Sequence, residues 1–526
     1  MTSVIIVSCV MLNRISNRLG IPMLLGFMLL GMISGSDGLL GIEFSDYDIA
    51  EQVSSVALIF IMFYGGFGTK WSRARPVAVR SLLLSSAGVV LTAGITGAFC
   101  RFVLGMTMLE SFLLGSVISS TDAASVFYIL RSRRLNLRDG TASLLELESG
   151  SNDPFAYMLT FVCLSVAEGG VNGWSVAYTV FSQVIYAAVI SIPVALLASW
   201  ALRKYKLTSD GFDSAFVVGV ALVSFALPSV VGGNGYLGAY IVGIILGNSQ
   251  FRNKKSLVNF FDGVTMLMQM MLFFLLGLLS FPSRMLAIVP TAMAVFAFLT
   301  LVARPAAVFV LLSPFGSSIR QQLLVAWSGL RGAASIVFAV MVVSGNFDAQ
   351  NDIFHIVFVI VLMSILLQGS LIPSVARRLG MIDDNVDVLK TFSDYTDEVP
   401  VRYIQFTIPR EHEWSGRRVR EIVLPPETLL VLIRRGEESI MPVGGTVLCE
   451  GDALVLGAAA PDAVQGIQLS ERTIEPGDEW DGRLVSELEL GEGALIVLVK
   501  RGGKVVIPRG RTRLNNGDVI VINRIA

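Results

Sequence analysis

The sequence predicts an α-helical polytopic membrane protein, with thirteen transmembrane helices followed by a cytosolic α+β tail. Three observations carry this expectation. The first is how charge is divided. The 526 residues are 53% hydrophobic and only 15% charged, with a mean hydropathy of +0.69, whereas a soluble domain carries about a quarter charged residues. Residues 1–380 hold 23 Lys+Arg and 17 Asp+Glu, while the much shorter stretch 381–526 holds 17 and 24. One end is suited to lipid and the other to water. The second observation is a series of apolar runs near the roughly twenty residues that cross a bilayer as a helix. The third is the alternation of basic residues between those runs.

The runs fall at 1–12, 21–40, 52–67, 80–99, 108–130, 149–167, 174–202, 212–230, 234–249, 259–281, 285–313, 319–344 and 353–374. The first is short for a span. It lacks a basic leader and a small-residue cleavage site, so it does not read as a cleaved signal peptide. Connections collect Lys and Arg on the cytoplasmic side of a membrane protein. Numbered this way, alternate connections hold 19 basic residues and the others hold 2, Arg101 and Arg284. A wrong span count would scramble that alternation. The expected topology has the N-terminus outside and the tail in the cytoplasm.

Composition also excludes classes. A net charge of −1 argues against a dedicated nucleic-acid binder. Four scattered cysteines and two histidines assemble neither a disulfide framework nor a Cys/His metal site, and no cofactor is expected.

After residues 1–380, the expected organisation is an acidic linker over 381–400 and two modules over 401–460 and 467–526. The modules are a tandem repeat. Shifting the tail by 66 residues aligns 413–456 with 479–522 at 19 of 44 identical positions, against about two or three by chance. Glu413-Trp414-x-Gly416-Arg417 recurs as Glu479-Trp480-x-Gly482-Arg483, and Gly451-Asp452 recurs as Gly517-Asp518. Period-2 stretches broken by Gly and Pro predict a small β-rich unit in each copy.

Ionisable residues inside spans cost about 2.5 kcal/mol or more at the midplane, so each asks for a reason. The fifth span contains Ser119-Ser120-Thr121-Asp122-Ala123-Ala124, and the sixth opens on Glu146-Leu147-Glu148-Ser149-Gly150-Ser151-Asn152-Asp153-Pro154. On a helix Glu148 stacks with Asn152, and Ser149 with Asp153. These oxygens suit a partly dehydrated alkali cation, and the carboxylates can hold a proton instead. Pro154 removes a backbone donor and predicts a broken or kinked helix. Arg304 and Arg331, in the eleventh and twelfth spans, are expected to pair with Glu148, Asp122 or helix C-termini. For Arg304 a structural role is favoured over a direct one. Gly233-Asn234-Gly235-Tyr236-Leu237-Gly238 fits a dinucleotide-loop pattern, but it opens a span with no strand before it, so close helix packing explains it better. His355 is expected to be a satisfied interfacial histidine, and Glu110 and Asp262 to snorkel towards water at span ends.

At this point the residues carry a resemblance. Residues 1–380 resemble the bacterial monovalent cation:proton antiporter family, in the branch related to sodium/proton exchangers. The match rests on Thr121-Asp122, on Glu148-Ser149-x-x-Asn152-Asp153 and on Leu330-Arg331-Gly332-Ala333, in the family's order. The tail copies resemble RCK-C (TrkA-C) modules, which places the whole chain beside the potassium/proton antiporter subgroup.

The resemblance implies inverted repeats over spans 1–6 and 8–13, with unwound segments of spans 5 and 12 crossing near the midplane. It implies that Asp153 is the shared cation and proton site, shaped by Asp122, Thr121, Ser149 and Asn152. It further implies that Glu148 pairs with Arg304 and that Arg331 offsets helix-end dipoles. An Asn-Asp pair implies electroneutral one-for-one exchange, and the resemblance as a whole implies K+ or Na+ exchanged for H+ by a homodimer of the inner membrane, with a tail that either binds a small-molecule effector or serves as an assembly domain without a ligand. The sequence departs from the family at Tyr64, where relatives carry an acid, which weakens any cation contact from the third span.

Three other classes compete. A ligand-gated cation channel would show a filter-forming reentrant loop, and none is evident. A proton-coupled solute symporter is opposed only by the motif match. An intramembrane enzyme built on Ser149 and Asp153 lacks a nearby Lys or His base, so no catalytic residue is assigned.

Overall fold

A computed structural model describes residues 23–122, 125–126, 129–130, 135, 137–169, 172–205, 210–251, 254–345, 347, 349–382, 401–409, 412–424, 428–436, 438–459, 467–474, 478–488, 494–501, 504–506, 508 and 510–525. The chain divides into two units between residues 395 and 396. The expected first span, Ala123, Ala124 and nearly all of the linker lie outside the described residues.

Every expected span from residue 21 onwards meets a helix. Among the described residues seven are long and apolar enough to cross a membrane: Tyr47–Gly68, Ala78–Phe102, Gly173–Lys204, Gly211–Val230, Lys254–Leu278, Pro282–Phe315 and Ile353–Arg378. Shorter apolar helices cover Met23–Ser34, Met108–Val117, Gly235–Asn248 and Ala333–Ser344, and Thr141–Glu168 carries the sixth span. That last helix begins eight residues before its apolar stretch, because Glu146 and Glu148 depress hydropathy while lying within it. It is continuous through Pro154, so of the expected break or kink the break does not occur.

The helices can be taken as two groups. In one, backbones touch at glycine. A Cβ on Gly31 would lie 2.2 Å from Phe274 O, and one on Gly247 would lie 2.0 Å from Phe67 O. Only a residue without a side chain permits such an approach. These contacts join Met23–Ser34 to Lys254–Leu278 and Tyr47–Gly68 to Gly235–Asn248. Phe63 and Phe261, with ring centroids 5.2 Å apart, join the two pairs. The other group contains the broken helices and combines such an approach, a Cβ on Gly115 falling 2.4 Å from Ala93 O, with buried polar contacts.

The tail is two antiparallel four-stranded sheets. In the first, β1 (Val401–Thr407), β2 (Thr428–Arg435), β3 (Glu438–Ile440) and β4 (Ala453–Ala459) lie in the order β1-β4-β2-β3. In the second, β5 (Ile467–Thr473), β6 (Ala494–Arg501), β7 (Lys504–Val506) and β8 (Val519–Ile525) lie in the order β5-β8-β6-β7. The 66-residue repeat is reproduced down to the register, with an irregularity between Leu430 and Leu432 and again between Ile496 and Leu498. One 3₁₀ turn accompanies each sheet, at Val419–Glu421 and Val485–Glu487.

The recurring Gly-Asp has a physical reason. Gly451 and Gly517 adopt φ near +81° and +82°, which glycine alone tolerates cheaply. The buried Asp452 and Asp518 each receive a forked pair of hydrogen bonds, from Arg435 and Arg501 respectively. Those guanidinium bonds hold both carboxyls below the usual carboxylate range.

Candidate functional site

The fifth and twelfth spans are interrupted helices, and their interruptions meet. Met108–Val117 ends before Ser119-Ser120-Thr121-Asp122, and Ile319–Trp327 ends before Ser328-Gly329-Leu330-Arg331-Gly332. The Asp122 N–H donates to Leu330 O at 2.7 Å, joining the two unwound strands by backbone. Gly332 permits this closeness. A Cβ there would lie 2.4 Å from both the Cβ and Oδ2 of Asp122.

An interruption inside a membrane protein exposes helix-end carbonyls that must find donors. Arg331 supplies them on one side, its guanidinium donating to Ser119 O at 3.1 Å and Ser120 O at 2.8 Å. On the other, Gln368 Nε2 donates to Trp327 O at 2.6 Å. Gln368 also accepts from Ser364, whose hydroxyl accepts from the Arg331 N–H. Ser364 and Gln368 belong to a π-helical turn over Ser364–Gly369, a feature common at functional positions.

Thr141–Glu168 carries the remaining groups. Ser149 donates to Thr121 O, and Asn152 Nδ2 donates to Thr121 Oγ1. Ser120 donates to the buried Asp153 carboxylate. Asp122 accepts from Ser125 Oγ at 2.5 Å and from Ser125 N–H at 3.3 Å, capping the next helical segment. The fold therefore brings Thr121, Asp122, Ser149, Asn152 and Asp153 together at the crossing. Thr121 is the shared partner of Ser149 and Asn152, neighbours on one face of that helix.

Glu148 and Arg304 pair at 2.6 Å, with side-chain exposures of 1% and 3%. A second π-helical turn, Leu299–Ala303, precedes Arg304, whose N–H bonds to Leu299 O. Gly329 leaves room for this arginine, since a Cβ there would lie 2.8 Å from Arg304 Nε.

Some positions escaped sequence reasoning. Ser120 and Ser125 are ordinary small residues until the fold aims them at Asp153 and Asp122. Asn234, declined as part of a nucleotide loop, caps Gly235–Asn248 through Leu237 N–H, and its Nδ2 donates to Pro154 O at 2.8 Å. Gly238 beside it packs closely, with a Cβ falling 2.4 Å from Ser224 O.

Glu110 does not snorkel. It is 2% exposed and accepts from Thr107 and from the backbone of Gln350 and Asn351, because it closes a capping box at the helix start. Asp262 accepts from Tyr64 Oη at 3.1 Å. His355 is buried and satisfied. Nε2 accepts from the Phe281 N–H at 3.0 Å and Nδ1 faces Asp352 at 2.6 Å, so the neutral ring carries its proton on Nδ1.

Known proteins are similar to this chain. Residues 4–378 match the family described as sodium/hydrogen exchanger, transmembrane, and residues 403–463 and 469–522 each match the TrkA-C domain. The K(+)/H(+) antiporter NhaP of Alkalimonas amylolytica is 34% identical over 428 residues, 80% of this chain and 74% of that one. The K(+)/H(+) antiporter NhaP2 of Shewanella baltica is 34% identical over 456 residues, 85% of this chain and 78% of that one. Among solved structures, the sodium proton antiporter MjNhaP1 of Methanocaldococcus jannaschii superposes with a TM-score of 0.64 at 23% identity, covering 72% of this chain and 97% of that one. The chain, with its two interrupted helices crossing beside Asp153 and its paired TrkA-C domains, belongs to the sodium/hydrogen exchanger family of cation:proton antiporters.

Proposed function

We propose that the protein exchanges cytoplasmic K+ for external H+ at Asp153, one for one, across a bacterial inner membrane. The observation that carries this reading is the convergence of one buried carboxylate, Asp153, with the oxygens of Ser120, Thr121, Asn152 and Asp122 at a crossing of two interrupted helices. A bare carboxylate out of water is costly and is neutralised either by a proton or by a cation. The two cargoes then compete for one site. The empty, charged site is disfavoured from crossing, so transport in one direction is matched by transport in the other.

In this reading Thr121, Asp122, Ser149 and Asn152 shape the cation site. Glu148 with Arg304, and Arg331, support it from behind without touching cargo. K+ is favoured over Na+ because the relatives that match most of the chain are named for K+. No enzymatic step is assigned. The tail regulates exchange in response to a small effector, and the chain works as a homodimer with its N-terminus outside, as the basic-residue alternation implies.

The test is cation-driven dequenching of a pH dye in everted vesicles with K+, Na+ or Li+ across pH 6 to 9, with and without residues 381–526. Asp153→Asn is expected to abolish exchange while the protein still accumulates in the membrane. Retained exchange in that variant overturns the assignment.

A further inference from the structure

Among the contacts that cross between the two groups of helices, two lie on one side of Asp153. Glu51, in the first turns of Tyr47–Gly68, belongs to the glycine-packed group. Ser344, the last residue of Ala333–Ser344, belongs to the group built around the crossing. The Ser344 hydroxyl donates to Glu51 Oε2 at 2.5 Å. A hydroxyl on a carboxylate is among the stronger side-chain hydrogen bonds.

Beneath this bond lies an aromatic contact. Tyr157 sits one helical turn beyond Asp153 on Thr141–Glu168. Its ring meets Tyr236 edge-on at 5.0 Å, and Phe338 of the crossing group packs at 6.0 Å from it. Tyr236 opens Gly235–Asn248, in the glycine-packed group, and is hydrogen-bonded by Ser55. Ser55 lies one helical turn beyond Glu51 on Tyr47–Gly68, which sets the two contacts about a turn apart. On the orientation given by the basic residues, all of them lie between Asp153 and the outside.

We infer that Glu51, Ser344, Tyr157 and Tyr236 form the outer gate of the exchange route, closed in this structure, and that Asp153 opens outwards only when the Glu51–Ser344 bond breaks and Tyr157 parts from Tyr236. The inference rests on Asp153 as the exchange site. Its physical basis is that both contacts join the two groups rather than lying within either. A bond made only in the outward-closed state sets the population of that state. Removing it leaves the cation site intact but shifts the protein towards outward-open. Apparent affinity then rises on the outer face and falls on the inner one, a signature that a merely structural role does not produce.

The experiment measures the apparent KM for K+ from each face of the full-length protein, using right-side-out and everted vesicles. Ser344→Ala and Glu51→Ala are expected to lower the ratio of outer to inner KM roughly tenfold, as the loss of a bond to a charged group from one state implies. Ser344→Thr restores the hydroxyl and is expected to restore the ratio. Glu51→Gln keeps an acceptor oxygen and is expected to shift it less than Glu51→Ala. Ratios within twofold of wild type for both alanine variants overturn the gate. If those variants fail to accumulate, Tyr157→Leu removes the ring contact and must shift the ratio in the same direction, and no shift overturns the gate equally. Exchange retained by Asp153→Asn would instead overturn the site assignment, whatever the gate variants do.

Discussion

The Glu148–Arg304 pair offers the sharpest test of how the crossing is supported. The contact is a single hydrogen bond of 2.6 Å, and neither side chain exceeds 3% exposure. Among the described residues Glu148 Oε2 and Arg304 Nε have no hydrogen-bond partner, so no second bond among them stands in if one partner goes. Arg304→Met removes the cation at nearly constant volume and strands a buried carboxylate, at a cost of about 3–5 kcal/mol. At 1.4 kcal/mol per factor of ten, that is on the order of 10²- to 10³-fold in the unfolding equilibrium. Replacing both charges, as Glu148→Gln with Arg304→Met, leaves no stranded ion and is expected to recover most of the loss. Thermal unfolding of the purified protein in detergent reads the stability, and vesicle dequenching reads exchange. An Arg304→Met variant as stable as wild type would refute the reasoning, as would a double variant no better than the single one. A stable double variant with no exchange at all would place one of the two residues in the transport step itself.

Four further outcomes follow from particular contacts. Gly332→Ala puts a Cβ 2.4 Å from Asp122, so the crossing must open by about 1 Å to reach an ordinary contact distance. Exchange is expected to fall on the order of 100-fold with insertion unchanged, read by dequenching alongside membrane abundance. Gly247→Ala drives a Cβ to 2.0 Å from Phe67 O and is expected to cost about 1–3 kcal/mol by overpacking, read as a lowered detergent Tm. In the tail, the depressed carboxyls of Asp452 and Asp518 contribute stability that is fully present above their unfolded value, about 3.9, and is lost as pH falls through the lower folded value. Hydrogen exchange of β2, β4, β6 and β8 in the full chain should therefore stay protected down to about pH 4 and weaken below it. Arg435→Ala should cost about 2 kcal/mol already at neutral pH, a figure lowered because Arg435 is 41% exposed.

The span pattern was legible because each helix declares itself locally, through apolar length and the basic residues between spans. The tail repeat was equally legible, since Arg435 with Asp452 and Arg501 with Asp518 keep their spacing, and the same spacing gives the same fork. The motif residues also pointed to the crossing: charged and polar groups inside spans need partners, and few were on offer.

What sequence could not give was which oxygen faces which. Ser120 and Ser125 become part of the site only because unwinding turns them towards Asp153 and Asp122. Glu110 reads as a surface acid until the Gln350–Asn351 backbone closes over it, and Pro154 reads as a break until its helix is seen to continue with Asn234 bonded to its carbonyl. The amino-acid sequence by itself determined the spans and the duplicated tail, because hydropathy, charge and repetition are properties of neighbours along the chain. Only the tertiary structure decided the pairing of Glu148 with Arg304, the meeting of Asp122 with Leu330 and the bond from Ser344 to Glu51. Each joins residues far apart in the chain, and which partner a buried polar group finds depends on where the whole bundle puts it.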